Sequence, residues 1–157
     1  MSGGGRAPDA EVGSERALTE HELRAWGERL GERVTPPTVI ALSGDIGAGK
    51  TTLARAICRC YGVTEDVTSP TFAIAHEYGA LKSVVHNVDL YRLEGPGDLQ
   101  NIGWDDLVRD DALLIVEWPE RAAGALPTGH MPLELRHIRD DAARRVLVVG
   151  AGIPSGL

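Results

Sequence analysis

The sequence predicts a three-layer α/β domain whose mixed sheet has a parallel core flanked by antiparallel strands. Three observations carry that expectation. A short apolar run, "TVIALS", leads into a glycine-rich loop and then a helix-forming stretch, "TTLARAICRC". A second run, "ALLIVEW", is continuously apolar and ends in an acid, as expected of a central parallel strand buried on both faces. Two further pairs of strand-like segments are each joined by a short link, which makes each pair antiparallel.

In chain order, residues 1–16, "MSGGGRAPDAEVGSER", are rich in glycine and charge without periodicity and read as a mobile tail. "LTEHEL" then starts a helix: Thr19 caps it, Glu22 reaches back, and Leu18 staples against Leu23. Leu23, Trp26 and Leu30 follow on one face. Gly31 and the pair Pro36-Pro37 are expected to close that unit. Residues 38–43 form a buried strand, and a helix is expected over 51–60. "TFAIAHEY" and "SVVHNVDL" are two strands joined by Gly79-Ala80-Leu81-Lys82. The polar stretch 94–111, with Trp104 and Leu107, has helical potential and crosses the sheet before "ALLIVEW". Last come "PLELRHI" and "RVLVVG", a hairpin around the charged turn "RDDAAR". The folded domain is expected over residues 17–152, with 153–157 a C-terminal tail.

A chain of 157 residues suggests one domain, large enough to fold without disulfides or metal. Hydrophobic residues at 43% and charged residues at 25% indicate an ordinary soluble protein. The formal net charge of −7 argues against a large nucleic-acid footprint, which needs a basic face. Cys58 and Cys60 lie two apart in a helix and point to different sides, so they form neither a disulfide nor a zinc pair. No apolar stretch approaches a membrane span and no signal-peptide pattern opens the chain, so a cytoplasmic location is expected.

The chemistry concentrates in "SGDIGAGKTT". Gly44, Gly49, Lys50 and Thr51 fit the phosphate-loop pattern G-x-x-x-x-G-K-[ST], with Asp45, Ile46, Gly47 and Ala48 between the glycines. Glycines let backbone N–H groups turn toward phosphates, and the following helix directs its positive end at them. Lys50 is placed to reach the β- and γ-phosphates, and the Thr51 hydroxyl to hold magnesium. Such a loop needs acids to manage magnesium and water. Glu117 ends its apolar strand where that acid belongs, and Asp89 closes "VVHNVD" at the same end of the sheet, where α/β ligands bind. The bland readings are a solvent-facing strand-terminal Glu117 and a turn or cap Asp89. "TSPTF" places Ser69 and Thr71 around the stiff Pro70; on composition it reads as a turn, or else as a loop sensing the γ-phosphate.

Taken together, "GDIGAGKTT", "VTSPTF", "DLYRL" and "VEWPER" resemble the bacterial TsaE family, the small P-loop ATPase of the machinery that makes threonylcarbamoyladenosine in tRNA. The resemblance runs over residues 18–150, and "SPTF" and "DLYR" are not general phosphate-loop features. It implies ATP and magnesium as cofactors, and ATP hydrolysis coupled to TsaB and TsaD, with tRNA met through that complex. It places Lys50, Thr51 and Thr52 at the phosphate and magnesium site. Asp89 and Glu117 become the acids around magnesium and the attacking water. Thr71 falls in a switch-like segment and Trp118 near the active site. One departure stands out: the family has His-x-Asp before Leu-Tyr-Arg, whereas here His86 lies three residues before Asp89 and Asn87 takes the usual place. A shift of one residue in a strand turns the side chain to the other face, so His86 is given no catalytic role. His21, His76, His130 and His137 read as surface or structural residues.

Two other functions compete. A small-molecule or nucleotide kinase needs an arginine-bearing lid, and after Glu117 only Arg121 is close by, the rest being taken by the hairpin. A nucleotide-dependent interaction module would bind without meaningful hydrolysis.

Overall fold

The computed structural model describes residues 14–67, 75–94, 96–122 and 124–157. The first strand, β1 (Ser14–Thr19), runs into helix α1 (Glu20–Arg33) through the expected capping box. The Glu22 N–H donates to Thr19 Oγ1 at 3.2 Å and the Thr19 N–H to Glu22 Oε1 at 2.9 Å. Leu23, Trp26 and Leu30 are buried as predicted. The helix does not stop at Gly31 but runs on to Arg33. A Cβ on Gly31 would collide with the Ile57 carbonyl of the neighbouring helix, so this glycine marks a close crossing and no terminus.

Strand β2 (Thr38–Gly44), the glycine loop and helix α2 (Lys50–Tyr61) follow within a residue of their expected bounds. Next come β3 (Ala75–Tyr78) and β4 (Val85–Asp89), antiparallel to each other as predicted. A 3-10 helix (Pro96–Ile102) and α3 (Trp104–Arg109) then lead to β5 (Leu113–Glu117). A second 3-10 helix (Pro119–Ala122) precedes the hairpin of β6 (Met131–Ile138) and β7 (Asp141–Val149).

The seven strands lie in the order β1-β7-β6-β2-β5-β4-β3. The four inner strands β6, β2, β5 and β4 are mutually parallel, and β7, β1 and β3 add antiparallel edges. Alternation along β5 sends Leu113 and Ile115 into a core with α1 and α2, and Leu114 and Val116 into a second core with Trp104. Two filled faces make three layers.

Three expectations change. Ser14, Glu15 and Arg16, assigned to the tail, pair with Val149, Val148 and Leu147 in β1; residues 1–13 lie outside the described ones. At the other end Ile153 is buried in the main core and the Ser155 carbonyl accepts from Arg33 Nη1 at 3.3 Å, so 153–157 packs onto the domain. The hairpin turn is also tighter than "RDDAAR": β7 already begins at Asp141, and Asp140 takes φ 64°. Charged residues extend the strand because Arg144 and Arg145 find backbone partners on β1, which charge does not prevent. Of "TFAIAHEY", residues 71–74 lie outside the described ones. Cys58 is buried, its thiol pushed up to about 12 by burial, while Cys60 is half-buried. No described helix is long and apolar enough to cross a membrane.

Candidate nucleotide site

The glycine loop leaves the carboxyl end of β2 through Gly44, whose φ of +135° and contact with the Leu135 carbonyl admit no side chain. Strand β6 holds the loop from there. The Asp45 N–H donates to Leu135 O at 3.1 Å, and Asp45 Oδ2 accepts the His137 N–H at 3.0 Å. His137 Nε2 lies 2.9 Å from Ile46 O. Gly44, Asp45 and the buried Ala48 thus shape the loop, while Ile46, 70% exposed, forms its tip.

Helix α2 begins at Lys50 with no side-chain cap and no acid in its first turn. Its leading N–H groups and positive pole therefore face the loop, which suits an anion. Lys50 is 7% exposed and donates to Gly44 O at 2.7 Å and Asp45 O at 3.0 Å. Its Nζ also lies 4.6 Å from the Trp118 ring centroid.

The two acids arrive opposite. β4 and β5 are parallel neighbours in a register that sets Asp89 beside Glu117, and β5 in turn pairs Glu117 with Leu42 of β2. Asp89 Oδ1 accepts the Tyr91 N–H at 2.9 Å. Glu117 is 3% exposed and its Oε2 has no hydrogen-bond partner among the described residues. Burial, then the charge of Asp89, push its carboxyl up to about 7, and Lys50 acts in the opposite sense. Trp118, at φ 58°, is fixed by its N–H to Leu42 O at 3.2 Å and by Tyr91, whose ring lies 4.9 Å away.

These parts enclose a cleft of about 360 Å³. Ile46, Gly47, Gly49, Lys50, Thr51 and Thr52 line it from the loop and helix, and Asp89, Glu117 and Trp118 from the strand ends. Thr71 lies outside the described residues. A buried carboxylate oxygen lacking a partner, a second carboxylate and the Thr51 hydroxyl on one cleft make a hard oxygen donor set, which fits magnesium. No group of three or more His, Cys, Asp or Glu among the described residues forms a complete metal cage. Magnesium commonly has no such cage, since water and substrate phosphates fill the remaining positions.

A family model described as threonylcarbamoyl adenosine biosynthesis protein TsaE matches residues 17–146. The chain belongs to the TsaE family. The protein from Haemophilus influenzae named tRNA threonylcarbamoyladenosine biosynthesis protein TsaE is 34% identical over 82% of this chain and 84% of its own. Its Streptomyces coelicolor namesake is 38% identical over 83% and 91%. The crystal structure of Bacillus subtilis YdiB superposes with a TM-score of 0.71 over 87% of this chain and 83% of its own, at 23% identity, a likeness of fold.

Within this TsaE fold His86 faces away from the loop, its Nε2 2.8 Å from Asp110 Oδ2 and its Nδ1 3.8 Å from Glu77 Oε1. That hydrogen bond holds Asp110 below the usual carboxylate range. Asn87, 1% exposed, keeps a buried Oδ1 with no hydrogen-bond partner among the described residues. Arg92 is exposed, and Arg121 donates from Nη1 to Leu93 O at 3.0 Å and lies over the Tyr91 ring. Sequence reasoning missed Tyr91 as the support of Trp118, and His137 as the clamp on the loop. "DLYR" pointed at the first; nothing local to "RHIRD" pointed at the second.

Proposed function

We propose that this chain is the ATPase subunit for threonylcarbamoyladenosine modification of the tRNA adenosine next to the anticodon. In this reading ATP hydrolysis drives or resets a TsaB–TsaD complex. The observation that carries the ATPase reading is the convergence of Asp89 and Glu117 on the uncapped start of α2, beside Lys50. The relatives' names, tRNA threonylcarbamoyladenosine biosynthesis proteins, support the pathway.

In this reading the loop N–H groups and Lys50 hold the phosphates, Lys50 exchanging its two loop carbonyls for phosphate oxygens. Thr51 and Asp89 would hold magnesium, which would supply charge neutralisation for the phosphates when bound. Glu117 takes the proton of the attacking water, and a carboxyl near 7 suits a base working at neutral pH. Trp118 covers the lysine side of the cleft.

A positive group facing the developing γ-phosphate charge is worth roughly 10³–10⁵ in rate. Arg121 is held by Leu93 and Tyr91, and Arg92 points to solvent, so neither is delivered to the cleft. The isolated chain therefore hydrolyses ATP slowly, and TsaB–TsaD completes or orders the site. The net charge of −7 disfavours activation by tRNA alone. Steady-state phosphate release by the chain alone, with tRNA, and with TsaB–TsaD is expected to rise only in the last case. Fast release that the partners leave unchanged defeats this reading, and phosphoryl transfer to a metabolite would establish a kinase instead.

A further inference from the structure

Beside the glycine loop, β7 carries a cation, Arg145, with two buried nitrogens that have no hydrogen-bond partner among the described residues. Arg145 pairs with Leu18 of β1 and His137 of β6, and residues so paired share a face of the sheet, here the face that carries the loop. Its Nη1 lies 3.8 Å from the point where a Cβ on Gly49 would stand, so the guanidinium backs the turn that opens α2. Both Nε and Nη1 are buried and make no hydrogen bond among the described residues. Arg145 does not line the cleft.

Arg145 as a whole is half-buried, but two buried N–H groups without an acceptor are costly, and an apolar side chain of similar length would spare that cost. Its position supplies the compensation. A charge held partly out of water still acts over several ångströms and is screened less by salt than a fully exposed one. His137, which holds Asp45 and Ile46, sits beside Arg145 and keeps the loop at a set distance from that charge.

We propose that Arg145 is a positioning residue of the nucleotide site, a half-buried positive charge behind the turn at Gly49 that strengthens polyphosphate binding without touching the ligand. The inference rests on the nucleotide reading above and adds one requirement: the contribution grows with ligand charge, from AMP through ADP to ATP.

The experiment compares the full chain with Arg145→Met and Arg145→Lys. It measures thermal midpoints without ligand, calorimetric affinities for AMP, ADP and a non-hydrolysable ATP analogue, and steady-state KM and kcat. Arg145→Met is expected to melt at or above the unmutated protein and to bind the ATP analogue about tenfold more weakly. The loss is smaller for ADP and smallest for AMP, KM changes more than kcat, and Arg145→Lys restores most of the affinity. An Arg145→Met protein that binds all three ligands normally overturns the inference. So does one that fails to fold or melts lower, because an unpaired charge does not hold up the fold. If the unmutated protein binds no nucleotide, the nucleotide reading itself falls and the inference with it.

Discussion

Lys50 directs its ammonium at two carbonyls of its own loop, so in the proposed reading replacing it touches both ligand and loop. Lys50→Ala should lower phosphate release at least about a hundredfold. The fold survives with a loss of about 1–2 kcal/mol, since two charge-assisted bonds to carbonyls disappear. A folded variant with normal release would remove the phosphate-loop assignment. Glu117 makes a prediction in pH. Its carboxyl stands near 7 in the fold against 4.5 unperturbed, so between those values the folded chain carries a proton that the unfolded chain has released. Its contribution to stability is full below the unfolded value and is lost as pH rises through the folded one. For the metal-free protein, stability should fall between about pH 4.5 and 7 by something on the order of 3 kcal/mol. Glu117→Gln should flatten that decline in denaturant titrations across the range; an unchanged slope would show that the proton sits elsewhere.

Lys82, the chain's other lysine, shows how one element is closed by another. From the link between β3 and β4 its Nζ donates to the carbonyls of Gly31, Glu32 and Val34 at 3.1, 2.7 and 2.8 Å. These are end carbonyls of α1, the negative pole of that helix, which a cation stabilises. Lys82→Met should cost about 2 kcal/mol, read as a lower thermal midpoint with nucleotide affinity unchanged. Elements whose signals are local were legible in the sequence. The capping box needs only Thr19 and Glu22, and the parallel strand β5 needs only its apolar run. Strand β1 was not legible, because "SERALT" has no apolar alternation and is a strand only through its pairing with β7. The continuation of α1 past Gly31 was hidden for a related reason. A glycine costs a helix about 1 kcal/mol in isolation, and here it permits the approach to Ile57 that offsets the cost.

At the scale of the whole molecule the same division separates the two halves of the site. That residues 44–52, Asp89 and Glu117 come to the ends of β2, β4 and β5 was readable, because strand ends and glycine loops obey spacing rules. His137 and Arg145 were not, because a residue far along the chain reaches the loop only after the sheet is assembled. That dependence bears on how the protein comes to be made. Strand β2 lies between β5 and β6, both supplied by later sequence, and the loop's backbone is held by Leu135 and His137 of β6. Pairing between distant segments is slow and comes late in folding. During synthesis the glycine-lysine motif therefore emerges early yet stays unshaped until the closing hairpin has been translated. In the proposed reading, nucleotide meets only a finished sheet and so selects molecules whose last strands are in place.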